Sequence, residues 1–240
     1  MSRRLAILGG VVLLLVLVGA GGAYLYFFSG LRTAPKPLAV SSPSAQPTAQ
    51  ATAAPGTASL AGTWTVAPGS EAGYRVREQF VGQSSPHEAV ARTSSVSGGL
   101  TATGGYQLSN IRISVQLSGL QSVDQVAGFN VSQRDRIVQN SLSVGRYPEA
   151  VFVASGVAVP ASVDSGQTET VQVPGQLTIH GTTKDVVASV QAHKTASGVE
   201  VVGSIPTRMT DFGVSPPQVP ITTVQPDVTI EFQLELAKSP

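Results

Sequence analysis

Two stretches alternate apolar and polar residues without a fault: Ile111-Arg112-Ile113-Ser114-Val115-Gln116-Leu117 and Val228-Thr229-Ile230-Glu231-Phe232-Gln233-Leu234-Glu235-Leu236. Successive side chains of a strand point to opposite faces, so each stretch predicts a strand with one buried and one wet face. Shorter runs of the same kind occupy residues 64–66, 74–80, 150–153, 171–179, 186–192 and 199–205. Ala67-Pro68-Gly69, Gly104-Gly105, Gly181-Thr182-Thr183 and Ser197-Gly198 supply turns between most of them. About eight or nine strands in one antiparallel system suit a closed up-and-down barrel or a sandwich. One stretch breaks the pattern. Between Val126 and Leu142, the residues Val126, Phe129, Gln133, Ile137 and Val138 fall at roughly helical spacing, which predicts a short helix before the strand at Ala150.

The first part of the chain has a different pattern. Leu5 to Phe28 is uncharged, and at about 1.5 Å of rise per residue it spans roughly 36 Å as a helix, enough for a hydrocarbon core of about 30 Å. Arg3 and Arg4 precede it, and Tyr24, Tyr26, Phe27 and Phe28 close it as an aromatic belt would. This predicts a single-pass anchor at the cell membrane, with residues 1–4 inside and the remaining chain outside the cytoplasm. The rival reading is a cleaved signal peptide, since Val18 and Ala20 have the small-residue spacing a signal peptidase accepts. Against it, the apolar run continues eight residues past Ala20. Residues 29–59 read as a linker. From Thr33 to Ser59 it is almost entirely Pro, Ala, Thr, Ser, Gln and Gly, with too little apolar surface to offset the entropy of ordering. As an extended tether its 27 residues reach roughly 80 Å.

Composition sharpens this division. The 240 residues have a net charge of +1 and no cysteine, which excludes structural disulfides, cysteine metal sites and a lipidated cysteine. The 4 basic and 0 acidic groups of residues 1–59 contrast with 11 basic and 14 acidic in residues 60–240, an unlikely balance for a nucleic-acid binder. That C-terminal part, the globular domain, holds 28 Val against 9 Leu and so favours strands.

Candidate chemistry is sparse. None of His87, His180 and His193 has a second histidine or a carboxylate three or four residues on, so no metal pair is formed locally. No Gly-x-Ser-x-Gly elbow, G-x-G-x-x-G or Walker sequence is present, which disfavours a hydrolase and the usual nucleotide sites. Asn130-Val131-Ser132 matches a glycosylation sequon of low specificity. Arg134-Asp135-Arg136 reads either as surface charge on the helix or as a polar clamp at a cavity mouth. Phe80, Phe129, Phe152, Phe212 and Phe232, with Ile137 from the helix, either fill a barrel of about eight strands or line a space left for one small ligand.

The segment Gly175-Gln176-Leu177-Thr178-Ile179-His180-Gly181-Thr182-Thr183-Lys184 resembles the G-x-L-T-I-H-G-x-T-K segment of the YceI-like family. Four weaker matches stand in the same order: Trp64-Thr65-Val66 with Ser70, then Tyr74-Arg75-Val76; Arg134-Asp135-Arg136; Tyr147-Pro148 with Val151-Phe152; and Met209-Thr210-Asp211-Phe212-Gly213-Val214. The resemblance covers roughly residues 62–237. It implies an all-β, lipocalin-like antiparallel barrel whose interior holds a polyisoprenoid or isoprenoid-quinone-type lipid in the cell envelope, with no enzymatic step, cofactor or metal. On that reading Arg134, Asp135 and His180 form a polar mouth; the place of His180 at a strand end before Gly181 equally suits a histidine that bonds a turn carbonyl for structural reasons. Two departures stand out. Ala67 and Gly69-Ser70 replace the family's acidic residue and His-Ser pair, and Ser141-Leu142-Ser143 replaces an aromatic stretch before Tyr147-Pro148. The reading from another class is a barrel packed solid, serving as a structural or protein-interaction module.

Overall fold

Alternation buries one face of each strand, and the strands satisfy this by curling around a shared interior. The computed structural model describes residues 14–19, 21–22, 32–41, 60–81, 86–126, 130–220 and 222–239. Its main strands are β1 (Gly62–Val66), β2 (Glu71–Phe80), β3 (His87–Thr93), β4 (Val96–Thr103), β5 (Gln107–Gln116), β6 (Glu149–Ala154), β7 (Glu169–Ile179), β8 (Thr182–Lys194), β9 (Val199–Arg208) and β10 (Thr222–Lys238). Neighbours pair antiparallel in the order β1, β4, β5, β6, β7, β8, β9, β10. β10 then pairs with β1, which closes an eight-stranded barrel. Closure leaves no open edge along this ring.

β2 and β3 extend the barrel beyond the ring. β1 and β2 lie end to end along β10, which pairs Leu236 with Val66 and Gln233 with Glu71. The break at 67–70 is held by the Ser70 hydroxyl, which donates to Ala67 O at 2.8 Å and accepts from Glu235 N at 2.9 Å. β3 pairs with β2 much as β4 pairs with β1, and only Ser94 and Ser95 separate β3 from β4. β3 and β4 escape the alternation test because small residues, Ala89, Ala91, Gly98 and Gly99, occupy positions where a large apolar group would mark the pattern.

On its other edge β3 pairs, among the described residues, only with Gln121–Ser122, and helix α1 (Ser132–Ser141) packs beside that segment. Asn130 Oδ1 accepts from Ser132 N at 3.1 Å and Oγ at 2.6 Å, which fixes the start of the helix. Positions 134, 137, 138, 141 and 142 form its inward stripe. The short helix expected between Val126 and Leu142 thus lies at Ser132–Ser141, while Gln125–Val126 pairs as a strand with Arg32–Thr33. At the opposite end Leu60, Trp64, Ala102, Val163, Val199, Leu234 and Leu236 pack into a plug, and Trp64 Nε1 donates to Leu60 O at 2.7 Å.

The expected anchor falls largely outside the described residues. Within it, residues 14–19 are helical, and Leu14 to Val18 are all exposed. Among the described residues no helix is long and apolar enough to cross a membrane.

The linker differs from expectation where it is described. Residues 33–41, read from composition as free tether, lie across the outside of the barrel. Arg75 Nη2 donates to Pro35 O at 2.7 Å and Arg92 Nη2 to Lys36 O at 3.1 Å. Leu38 N donates to Glu231 at 3.4 Å, and Ser41 N and Oγ donate to Glu200 at 3.1 Å. These outward charges, expected on a wet face, are therefore buried: Glu231 is 3% exposed and Glu200 1%. Residues 42–59 lie outside the described residues.

Candidate functional site

The barrel is hollow. Inward positions of β2 (Tyr74, Val76, Glu78, Phe80) alternate with the outward Arg75, Arg77 and Gln79, and inward residues of β3 to β10 complete the lining of one cavity of about 610 Å³, to which β1 adds none. This size lies within the range of about 300–1,000 Å³ usual for small-molecule sites. The walls are built from Leu100, Ile111, Ile113, Val115, Leu117, Leu120, Val171, Val173, Leu177, Ile179, Val190, Val201, Ile205, Ile230 and Leu234, among others. Phe80, Phe152, Phe212, Phe232 and Ile137, singled out in the sequence, all line it. Phe129 lies outside the described residues. Phe152 and Phe232 reach inward over glycines of adjoining strands, Gly175 and Gly203, where a Cβ would collide with the rings.

The mouth is located by exposure. Among the described lining residues only Asn130, Gln133, Ile137 and Pro220 are exposed, and these belong to α1, the residues just before it and the approach to β10. The other end is stopped by the Trp64 plug.

The polar groups of the cavity gather beside this mouth. Glu78 and Arg134 line it, and Arg134 Nη2 donates to Glu78 at 2.8 Å while Nη1 donates to Asp124 at 2.6 Å. Asp124 also accepts from Val90 N at 3.1 Å and shares a 2.7 Å hydrogen bond with His87 Nε2. Burial works to raise the Asp124 carboxyl, but the hydrogen bonds from His87 and Arg134 outweigh it and hold the group below its ordinary value. For Glu78 burial wins, and its carboxyl is raised despite Arg134 and His87. Burial also pushes the Tyr74 phenol up. The Arg134 guanidinium, flanked by both carboxylates, is raised despite its own desolvation.

Glu78, His87 and Asp124 bring three donor atoms within 4.8 Å of one another. The Arg134 guanidinium already bonds both carboxylates, so it supplies the positive charge that a metal ion would bring. The donor set does not fit a resident metal. Sequence spacing missed this cluster because its members come from β2, β3, the 117–126 segment and α1. One signal was present: Glu78 shares the inward parity of Tyr74, Val76 and Phe80.

Two members of the expected mouth are placed elsewhere. Asp135 lies outside the lining; its carboxylate accepts from Ser122 N at 2.9 Å and Ser122 Oγ at 2.7 Å, fastening α1 to the wall. His180 also lies outside the lining, 3.3 Å from Phe212 O and from Ser143 Oγ, with its ring edge-on to Tyr147 at 5.0 Å. It holds the turn after β7, with φ of 52°. Of the three residues only Arg134 lines the cavity. The departures from the family pattern are structural facts as well: Ser141 and Leu142 line the wall, and Ser70 holds the break between β1 and β2.

A family model described as YceI-like domain matches residues 64–236, more than half of the chain. The chain belongs to the YceI-like family. The YceI-like barrel also has solved counterparts. A polyisoprenoid binding domain from Saccharophagus degradans, described as implicated in plant cell wall breakdown, is 14% identical, with 74% of this chain and 98% of that one covered and a TM-score of 0.50. BcnA from Burkholderia cenocepacia is 19% identical, with 69% and 96% covered and a TM-score of 0.47. The YCEI protein of Campylobacter jejuni is 16% identical, with 62% and 83% covered and a TM-score of 0.45. No curated protein matches the chain.

Proposed function

We propose that the chain is a lipid-binding protein that holds a polyisoprenoid-type lipid in its barrel, bound by burial and without chemical conversion. The observation that carries this reading is the cavity: about 610 Å³, walled by aliphatic and phenylalanine side chains, with its polar groups beside the open end. A filled barrel, the competing reading, does not accommodate that volume. Each CH₂ transferred from water to such a lining gains about 0.8 kcal/mol, so a chain of repeating apolar units accumulates affinity with length. The polar head of the ligand then lies near Arg134 and Glu78. The description of the Saccharophagus degradans domain agrees with this class of ligand.

In the same proposal the domain stands outside the cytoplasm on an anchor formed by Leu5 to Phe28. Supporting it are Arg3 and Arg4 ahead of the uncharged run and the exposure of the apolar side chains Leu14 to Val18. Native mass spectrometry of the protein extracted gently from its own membranes tests the ligand reading. A retained mass matching a polyprenyl lipid is the expected result; a protein that carries nothing, and binds no added polyprenol, overturns it.

A further inference from the structure

The strap fixes which end of the barrel faces the anchor. Arg32 and Thr33 pair with Val126 and Gln125, so the chain reaches the barrel only four residues before Asn130 at the cavity mouth. From there it runs away from the mouth, past Arg75 and Glu231, to Ser41 on Glu200. Glu200 lies next to Val199 in the plug, at the closed end. The apolar run ends at Phe28, and the four steps from Phe28 to Arg32 span at most roughly 14 Å. The tether is thus far shorter than composition implies, and its attachment is beside the opening.

The surface of that end suits a bilayer. Val81 is 74% exposed beyond β2, Ile137 is exposed on α1, and Val123 is exposed on the segment that frames α1. The cavity opens beside Ile137, between α1 and the approach to β10, with Val81 one residue beyond the lining Phe80.

We infer that the strapped barrel is held mouth-down on the membrane that carries its own anchor, so that lipid passes directly between bilayer and cavity. This rests on the anchor and lipid cargo proposed above. It assigns a partner, the lipid surface, to the face formed by Val81, Val123, Ile137 and the mouth, and makes the protein a local extractor of lipid instead of a carrier crossing between membranes.

The absence of cysteine allows single labels to be placed. Val81→Cys lies at the mouth, and Ser197→Cys lies in the turn between β8 and β9 at the closed end. Each full-length variant carries an NBD label and is reconstituted in phosphatidylcholine vesicles containing a head-group nitroxide lipid. The expected result is quenching at position 81 several-fold stronger than at position 197. Inserting a Gly/Ser spacer of about 20 residues between Phe28 and Arg32, a coil averaging roughly 25 Å, should remove most of the difference. Equal quenching at both positions, or stronger quenching at 197, overturns the inference. Failure of the chain to float with the vesicles overturns it together with the anchor. Preferential quenching at 81 in a protein that retains no lipid upholds the orientation and overturns the cargo reading alone.

Discussion

Arg134 Nη1 lies 2.6 Å from Asp124 Oδ1, a contact between a helix with no buried residue of its own and a carboxylate whose side chain is 0% exposed. Helix α1 is therefore held to the mouth by charge and hydrogen bonds: Arg134 to Glu78 and Asp124, Asp135 to Ser122, and Gln139 to Ser118 O at 3.3 Å. Removing one partner of a buried pair strands the other, at a cost of about 3–5 kcal/mol. Arg134→Ala should lower unfolding stability by about 3 kcal/mol, near the low end because its side chain keeps 16% exposure. Urea unfolding measures the loss. Faster amide exchange confined at first to residues 132–141 would show that the helix detaches before the barrel opens.

The same cluster sets a pH dependence of two opposing signs. Asp124 is held below its ordinary 3.8, so its contribution is present above pH 3.8 and is lost as the pH falls through the folded value. Glu78 is raised above its ordinary 4.5, so its contribution is present below pH 4.5 and is lost as the pH rises through the folded value. On acidification they act in succession: Glu78 adds stability as the pH falls towards 4.5, and Asp124 removes it below 3.8. Glu78→Gln removes the first, so the variant should lack the gain in stability that the unsubstituted chain shows as the pH falls towards 4.5, while keeping the loss below 3.8. Chemical denaturation at several pH values gives both curves, and parallel curves would contradict the assignment.

Phe232 crosses the floor of its neighbour Gly203, its direct partner between β9 and β10. A Cβ at 203 would meet the phenyl ring and, at 2.7 Å, the backbone oxygen of Ser189. The ring can move into the cavity but the strand cannot. Gly203→Ala should destabilise the barrel by about 1–3 kcal/mol. Adding Phe232→Leu should recover part of that loss, and thermal unfolding of the three variants tests the coupling.

How far the sequence reveals this molecule depends on whether a feature is local. Period two locates β5 and β10 because each has a wet and a dry side, and the inward parity of Phe80, Phe152 and Phe232 follows from it, whereas Phe212 enters from the short helical turn 209–212 after β9. Whether the barrel is filled or hollow is set by the spacing of walls contributed by nine strands far apart in the sequence. Residue pattern leaves that open, and only the family resemblance indicated a hollow interior. The Glu78–His87–Asp124–Arg134 cluster is hidden for the same reason, and Asp135 turns to Ser122 because a motif does not say which way a side chain points; the strand-end place of His180 before Gly181 does point to the turn carbonyl that it meets, Phe212 O. The strap was the hardest feature to read. Its composition is that of a solvated chain, and its partners, Arg75, Arg92, Glu200 and Glu231, look like ordinary outward charges until a segment 40 to 193 residues away lies on them.

If the hollow is where lipid binds, reducing it should remove cargo without unfolding the domain. Val190 lines the wall and is only partly buried, so a larger side chain there has room to enter the cavity. Val190→Phe should retain the far-ultraviolet dichroism and cooperative unfolding of the native barrel while losing most of its retained lipid mass. Phe152→Trp supplies an optical counterpart, since the natural Trp64 sits in the plug, outside the cavity lining. Its emission should shift when a polyprenol is added, and an unchanged spectrum would place the lipid elsewhere.

The strap carries its own prediction, independent of any ligand. Arg75 reaches Pro35 O with one nitrogen and Glu88 with the other, at 2.8 Å, while Glu231 accepts from Arg75 and Arg92 at 3.4 Å each and from Leu38 N. Backbone groups of the strap thus complete a charge cluster on the barrel surface, and the cluster in turn orders the strap. Glu231→Ala removes the acceptor for Leu38 N and unbalances two arginines, so the strap should loosen first where it crosses β10. Amide exchange at Leu38 should accelerate at least tenfold. Exchange at Ser41 should change less, because Glu200 still accepts its N–H and hydroxyl at 3.1 Å. Since the strap packs on the outside of a closed barrel, strand amides of β5 to β8 should keep their protection. Loss of protection throughout the barrel would instead make Glu231 a structural keystone of the sheet, and unchanged exchange at Leu38 would mean the strap is held by its pairing with Gln125–Val126 alone.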